Sequence, residues 1–308
     1  MEKQYLEKII ICPQCQNARL QKFADKIICL ACAYNYPIIK GVPVLVINYK
    51  DEIYDGQINS SEEAEQWNWR EKILDKIPKI LFKYIFFATY AIRDFINQAA
   101  KDFAPGALIL DAGAGECIYK KYFSHTNYLA ADLGVGSNFW NYTKVDFLAD
   151  LEKIPLRNDC LDGIICSEVL EHTSSPDKIF LEFYRILKPN GRLILTVPAG
   201  GGIHQAPHHF YSYTKYGLEY LARMAGFKIK FIKPEGGFFK YIAQQKSFLR
   251  EILISKFKNA PLYLKPFYLC WLSIHLIYTP FSLLFANALD KIDHKQNFTL
   301  GYLCNFYK

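Results

Sequence analysis

From residue 107 onward, short apolar runs alternate with amphipathic stretches, and this alternation predicts strands and helices in turn. The apolar runs predict strands near 107–110, 128–131, 144–147, 162–166, 193–197, 227–232 and 299–307. The amphipathic stretches predict helices near 116–123, 176–187 and 213–225. Thr214 is a suitable cap for the last of these helices, and Gly226 a suitable end. Alternation of this kind predicts an α/β fold with a mainly parallel sheet.

The chain before residue 107 has a different pattern. Residues 1–50 are short apolar runs set among cysteines and charges, and a polar linker follows at 48–61. Two helices are predicted after it, near 62–76 and 78–101. We therefore predict three parts: a small unit at 1–50, a linker with helices at 51–106, and the main domain at 107–308.

An apolar insertion, about 233–297, separates the last two predicted strands. Pro266 to Leu289 has no formal charge when His275 is neutral, and this run is long enough to cross a bilayer. Pro280 predicts a break in its helix. Since the flanking strands share one sheet, the chain must leave and return on the same side. The pattern therefore favours contact with a membrane or a lipid chain through an interfacial hairpin, with a packed lid as the alternative.

A glycine-rich turn follows the first strand of the main domain. Asp111 opens it, Gly113 and Gly115 allow a ligand close to the backbone, and Asp132 stands twenty-one residues later, after the next strand. An acid at that point typically holds a ribose. Ile118 replaces the third glycine of a dinucleotide site, and no phosphate-binding Gly-Lys-Ser/Thr follows. The pattern favours a nucleoside with a cationic amino-acid tail.

The D-x-G-x-G motif and the segments at 150–156, 161–172 and 183–198 resemble the class I S-adenosylmethionine (SAM)-dependent methyltransferases, of the type 11 kind. The likeness covers roughly 108–231, and Cys117 departs from the family's third glycine. It implies a Rossmann-like sheet of seven mostly parallel strands, the last one antiparallel. It also implies an enzyme whose cofactor is SAM.

The resemblance further implies roles for particular residues. Asp132 would hold the ribose hydroxyls, Asp150 and the Leu151 backbone would bind adenine, and Ser167 with Glu168 would border the methyl group. The implied cofactor-binding residues are Asp111, Ala112, Gly113, Gly115, Asp132, Leu133, Asp150, Leu151 and Ser167.

A hydroxyl acceptor would benefit from a general base, and imidazole titrates in the working pH range. His172 ends the Glu-Val-Leu-Glu-His segment, with a structural role as its alternative. The loop at 200–213 carries His204, His208 and His209 on the predicted ligand side. We predict His172, His208 and His209 as catalytic residues. A metal site is disfavoured here, because no carboxylate accompanies the histidines within the loop.

Two C-x-x-C pairs lie in the N-terminal unit, at Cys12 and Cys15 and at Cys29 and Cys32. Four thiolates at this spacing suit a tetrahedral zinc ion, and so short a unit needs the folding free energy that a metal supplies. The segment at 36–46 resembles the small zinc ribbons that activate tRNA and protein methyltransferases. A fused ribbon could stabilise or orient the catalytic domain, or could be only a structural staple.

Composition adds limits on location and partner. Residues 1–36 contain charges throughout and show no signal peptide, so we expect a cytoplasmic protein with reduced thiols, with contact to the inner face of the membrane through 233–297. The net charge of +7 permits an anionic partner without requiring one. The sequence does not indicate an oligomeric state.

The favoured function is O-methylation of a small or lipid-linked acceptor such as a glycan or a quinone. The runner-up is an RNA base methyltransferase, since some rRNA methyltransferases carry a four-cysteine zinc module. The basic residues form no single short patch, which disfavours nucleic acid. A non-catalytic SAM-binding scaffold is the third reading, and the intact glycine turn disfavours it.

Overall fold

The computed structural model describes residues 4–47, 76–78, 82–83, 86–136 and 141–308. The predicted linker at 48–61 and nearly all of the helix near 62–76 lie outside these residues. The division of the chain at residues 50 and 106 therefore stays a prediction.

The N-terminal unit is a small antiparallel sheet preceded by a short helix. Its elements are α1 (Gln4–Ile9), β1 (Leu20–Lys22), β2 (Lys26–Cys29), β3 (Asn35–Ile39) and β4 (Val42–Pro43). Of the helix predicted near 78–101, the structure describes α2 (Phe87–Lys101), which buries Ile96, Ala99 and Ala100.

The main domain contains the predicted seven-stranded sheet, in the order β10-β11-β9-β8-β5-β6-β7. Its strands are β5 (Leu108–Ala112), β6 (Asn127–Asp132), β7 (Phe147–Leu148), β8 (Leu161–Ser167), β9 (Leu187–Pro198), β10 (Lys228–Pro234) and β11 (Gly301–Tyr307). Only β11 runs antiparallel, pairing with both β9 and β10. The predicted fold class is confirmed. Because β5 lies between β6 and β8, their carboxyl ends meet at the centre of one edge, where such sheets bind ligands.

Two helices pack on this sheet as predicted. α3 (Pro176–Ile186) and α4 (Lys215–Ala225) contact one another, and α4 also contacts β10. Thr214 caps α4 by accepting a hydrogen bond from the Gly217 N–H at 3.1 Å. Gly226 ends this helix with a φ of 99°, in the left-handed region that favours glycine.

Two predicted elements are wrong in type or extent. The helix expected near 116–123 is a turn followed by a 3-10 helix at Lys120–Phe123, because Cys117 has a φ of 58° and cannot continue an α-helix. The strand expected near 144–147 is only β7, since the chain before it forms a 3-10 turn at Tyr142–Lys144. The Asn141 side chain favours that turn by accepting a hydrogen bond from the Thr143 N–H.

The N-terminal unit lies against the free edge of the large sheet. Val44 forms a parallel bridge with Leu148 of β7, and the Leu45 N–H donates to the Leu148 carbonyl at 2.8 Å. Ile10 forms a second bridge with Leu156. The unit thereby covers an edge strand that would otherwise expose unpaired backbone groups, and its Cys12 and Cys29 join the core of the main domain.

The insertion is a pair of helices, α5 (Phe238–Asn259) and α6 (Lys265–Leu289), packed along one another. Asp290 fixes its base, because its carboxylate accepts the Gly237 N–H at 3.0 Å and pairs with Lys240 at 3.5 Å. No single described helix is long and apolar enough to cross a membrane. Leu262–Thr279 and Phe281–Ile292 meet that test of length and composition only together, across a bend of 43°.

Candidate active site

A cavity of about 830 Å³ opens at the carboxyl ends of the central strands. Most of the predicted site residues line it: Gly113, Gly115, Asp132, Leu133, Asp150, Leu151, Ser167, His172 and His208. Asp111, Ala112 and His209 are absent from its lining. One wall comes from α2, through Ala88, Thr89, Ile92 and Arg93, which the sequence did not single out.

The glycine turn forms the floor of this cavity. Gly113 has a φ of 81°, and a Cβ there would collide with the side chain of Val169. The N–H groups of Gly113 and Ala114 both donate to the Ala131 carbonyl, at 2.8 and 3.0 Å. This turn therefore requires glycine and is pinned to the end of β6.

The Asp132 carboxylate holds two loops together. Its Oδ2 accepts the Gly115 N–H and its Oδ1 accepts the Gly134 N–H, each at 2.8 Å. A carboxylate has about four acceptor positions, so capacity remains for ribose hydroxyls. Burial raises the pKa of Asp132, and the backbone N–H groups oppose that shift.

Asp111 lies beneath the turn and is 1% exposed. Its carboxylate accepts a hydrogen bond from the Tyr128 hydroxyl. Burial raises the pKa of Asp111 to about 7. In this arrangement Asp111 supports the turn from below.

The adenine side of the predicted site is a 3-10 turn at Leu151–Lys153. Asp150 caps it, because its side chain accepts the Glu152 N–H at 2.8 Å. The next residues pair with the N-terminal unit, where the Ile11 N–H donates to the Pro155 carbonyl at 3.0 Å. The N-terminal unit therefore buttresses this wall of the cavity.

A chain of hydroxyl groups crosses the end of β8. Ser167 Oγ lies 2.9 Å from the Tyr119 hydroxyl and 2.8 Å from Thr196 Oγ1. Thr196 in turn donates to Glu168 Oε1 at 3.0 Å. Burial raises the pKa of Glu168 to about 7.

The loop at 200–213 folds back over the turn that carries His172. The Phe210 N–H donates to the Glu171 carbonyl at 2.7 Å, and the Tyr213 hydroxyl donates to the Leu170 carbonyl at 2.9 Å. His172 Nδ1 lies 2.5 Å from the His208 carbonyl oxygen. Because a carbonyl only accepts, Nδ1 carries the proton and Nε2 keeps its lone pair.

Glu171 is a further residue that the sequence patterns did not single out. It is fully buried, it lines the cavity, and neither carboxylate oxygen has a hydrogen-bond partner among the described residues. Burial raises its pKa to about 9, and the charge of Glu168 adds to that effect. The sequence does contain one indication of it, because Glu171 is an acidic residue that closely follows β8, and β8 ends at the edge of the sheet where ligands bind.

The four cysteines of the N-terminal unit converge as a cluster. Cys12 Sγ lies 3.7 Å from Cys32 Sγ, and Cys15 Sγ lies 3.6 Å from Cys29 Sγ. All four sulfurs are within 4.8 Å of one another. Sulfurs bound at about 2.3 Å to a tetrahedral ion lie about 3.8 Å apart, so this cluster has the dimensions of a zinc site.

Comparison with known proteins agrees with this geometry. Residues 110–195 match the family described as Methyltransferase domain. That stretch runs from Leu110 in β5 into β9 and includes the glycine turn. No curated protein matches the chain.

Solved structures are similar in fold. A putative methyltransferase from Bacillus halodurans is 16% identical, with 70% of this chain and 98% of that chain covered and a TM-score of 0.42. The cyclopropane synthase MmaA2 from Mycobacterium tuberculosis is 16% identical, with 69% and 82% covered and a TM-score of 0.43. The complex of the Haloferax volcanii Trm112 methyltransferase activator with a putative methyltransferase is 17% identical, with 57% and 79% covered and a TM-score of 0.41. These values are too low to indicate a substrate or a partner.

The seven-stranded sheet and the glycine turn define a Rossmann-like methyltransferase fold. The match at 110–195 shows that this part of the chain is a methyltransferase domain.

Proposed function

We propose that this methyltransferase transfers the methyl group of SAM to a hydroxyl of a small or lipid-linked acceptor. The observation that carries the proposal is one cavity, whose lining includes Gly113, Asp132 and Asp150 together with His172. SAM and an acceptor could therefore be bound in the same cavity.

The predicted cofactor residues would act as the family resemblance implies. Asp132 would accept hydrogen bonds from the ribose hydroxyls at its remaining acceptor positions, and Asp150 would bind adenine together with the Leu151 backbone. Gly113 and Gly115 would admit the methionine portion. Asp111 and Ala112 would support the turn from β5, and Leu133 and Ser167 would border the cofactor.

Methyl transfer is an in-line displacement, in which an acceptor oxygen forms a bond to the methyl carbon and the carbon–sulfur bond breaks. The electron pair of that bond stays on sulfur, leaving S-adenosylhomocysteine. His172 Nε2 is the proposed acceptor of the hydroxyl proton, since its lone pair is held available by the Nδ1 bond to the His208 carbonyl. His208 would contact the acceptor, and His209 would hold the loop, because its Nδ1 accepts the His204 N–H at 3.2 Å.

The test is methylation of host lipid and glycan extracts with labelled SAM. Full-length wild type should yield a labelled product, and His172→Ala should reduce its rate by about 100- to 10,000-fold, the range of general-base catalysis. His208→Ala and His209→Ala should reduce turnover by less. SAM affinity by calorimetry should be nearly unchanged in all three. If His172→Ala turned over as fast as wild type, His172 would not be the general base. If the label appeared only in RNA, the acceptor would be RNA and not a lipid or glycan hydroxyl.

The proposal of a lipid-linked acceptor rests on α6, which buries small and polar side chains and exposes its large apolar ones. Its buried positions are His275, Ser282 and Ala286, whereas Ile277, Phe281 and Phe285 are 69%, 67% and 68% exposed. Helices in lipid pack through small and polar residues in this way. We therefore propose that the insertion touches the inner face of a membrane and presents the cavity to lipid-linked acceptors.

Its hydroxyl groups follow the same pattern. Ser273, Thr279 and Ser282 each donate to a carbonyl one turn earlier in α6, at distances of 2.6 to 2.9 Å. These bonds satisfy hydroxyls without water. Such a helix is suited to a surface from which water is excluded.

For the cysteine cluster we propose one structural zinc ion, bound by Cys12, Cys15, Cys29 and Cys32. Its closed set of four sulfurs leaves no position for a substrate. Metal analysis of protein purified without chelator should find zinc, and Cys12→Ser should lower both zinc content and stability. Unchanged zinc content in Cys12→Ser would refute this assignment.

A further inference from the structure

A second cluster of metal-ligand side chains lies in the wall of the cavity. Glu171, His172 and His204 each offer one ligand atom, and these atoms are within 4.8 Å of one another. His172 Nε2 lies 3.6 Å from Glu171 Oε1. Ligands at about 2.1 Å from a tetrahedral ion lie about 3.4 Å apart, so this pair already has nearly the required separation.

Both histidines are in the tautomer that leaves Nε2 able to bind a metal. His172 Nδ1 donates to the His208 carbonyl, and His204 Nδ1 donates to the Gly202 carbonyl at 3.2 Å. Each Nε2 therefore keeps an unprotonated lone pair. Metal-binding histidines usually donate their other ring nitrogen to a carbonyl or carboxylate in this way.

Glu171 provides the second, independent observation. It is fully buried beside the cavity, and its two carboxylate oxygens have no hydrogen-bond partner among the described residues. Burial of a carboxylate is costly unless it is protonated, paired with a cation or bound to a metal. A cation bound between Glu171 and the two imidazoles would take the place of the proton.

We infer that Glu171, His172 and His204 bind a divalent transition-metal ion of the zinc type, with open coordination positions facing the acceptor end of the cavity. Two imidazoles and one carboxylate form the donor set of open, catalytic zinc sites. His209 would support it from outside, because its ring lies 4.4 Å from that of His204. The four-cysteine cluster is a separate, closed site.

This inference deepens the proposed function and rests on it for the role of the ion. With the ion bound, the Nε2 lone pair of His172 would be a ligand and could not accept the proton of the acceptor hydroxyl. The ion would instead lower the pKa of a hydroxyl that coordinates to it, and the proton would leave to solvent before the oxygen attacks the methyl group. Acceptors with two neighbouring oxygens, as in glycans and catechol-like rings, would suit its open positions.

The experiment is zinc binding by the full-length protein, without SAM or acceptor. After chelator treatment and reloading, mass spectrometry should find two zinc ions per wild-type chain, one for each site. His204→Ala should retain one, with affinity at the second site lowered by at least about 100-fold, since even outer-shell changes cost about 10- to 100-fold. The matched control is His294→Ala, which removes an exposed histidine from the base of the insertion and should retain two.

Glu171→Gln is the second variant, because it keeps the side-chain volume and removes the charge. It should also retain one zinc, with SAM affinity showing that it folds. If it fails to fold, His204→Ala decides, since His204 is exposed. The inference would be overturned if His204→Ala retained as many zinc ions as wild type, or if His294→Ala lost as much zinc as His204→Ala. The zinc titration contains no acceptor, so its result does not depend on whether the proposed acceptor class is right. If no ion binds at this site, His172 keeps the role of general base given under the proposed function.

Discussion

The helices α3 and α6 use apolar side chains in opposite ways. α3 buries Ile179, Phe180 and Phe183 against the sheet. α6 buries His275, Ser282 and Ala286 and exposes its large apolar residues. The partner of α3 is part of the same chain, whereas the partner of most of the α6 surface is not among the described residues. The difference separates apolar residues that hold the fold together from apolar residues that are available for binding.

The largest expected effect separates these two uses directly. Phe180→Ala should lower the free energy of unfolding by about 3–5 kcal/mol, because it leaves a cavity in the core. Phe285→Ala should change it by less than about 0.5 kcal/mol, since that ring is exposed. Denaturant unfolding of both variants measures the contrast. A loss of about 2 kcal/mol or more in Phe285→Ala would mean that α6 is a packed lid.

A second prediction concerns the cofactor-binding residues of the cavity, which lie on the sheet, as α3 does, and not on the insertion. Asp132→Ala should remove charge-assisted hydrogen bonds to the ribose and weaken SAM binding by about 1.5–3 kcal/mol, or roughly 10- to 150-fold. Calorimetry measures this change. Binding to anionic liposomes should be unaffected.

Equal SAM affinity in wild type and Asp132→Ala would remove Asp132 from the site. The variant also loses the bonds from the Gly115 and Gly134 N–H groups. Asp132→Asn is therefore the companion variant, because its side-chain oxygen keeps one of them. An intermediate affinity would indicate how much of the loss comes from the loops.

The sheet was predictable because its signals are local. Apolar runs mark β5, β6 and β8, and the spacing from Asp111 to Asp132 follows from one strand–turn–strand unit. The helix expected near 116–123 was wrong because the left-handed backbone at Cys117 has no marker in the sequence. Propensity alone favours a helix there, whereas the Gly115 N–H donates to the Asp132 carboxylate and holds the chain in a turn.

The acceptor end of the site was only partly predictable. Its histidines were visible as a group, but Glu171 is separated from His204 by more than thirty residues, and β9 lies between them. The sequence therefore disfavoured a metal site for lack of a carboxylate. The fold brings the Glu171 carboxylate to the loop, because the loop's backbone N–H groups donate to the Glu171 carbonyl and join the two segments. Contacts between distant segments of this kind leave no periodic pattern.

The smallest expected effect tests which surface the exposed side of the insertion meets. Leu262 and Tyr263, between α5 and α6, are 83% and 78% exposed, and Lys256 and Lys258 flank them. Apolar side chains bordered by lysines suit an anionic lipid surface, where each lysine contributes about 1 kcal/mol. Lys258→Ala should therefore weaken co-sedimentation with phosphatidylserine-containing liposomes by about fivefold.

The matched control is Lys291→Ala, at the opposite end of the helix pair, which should leave liposome binding unchanged. Raising the salt concentration should reduce wild-type binding and narrow the difference between wild type and Lys258→Ala, since counterions screen exposed charges. Equal weakening by both variants would indicate attraction through the overall charge of +7 rather than a directed surface. No binding by wild type would assign the exposed face of α6 to a protein partner or a second copy of the chain, and the acceptor would then be water-soluble.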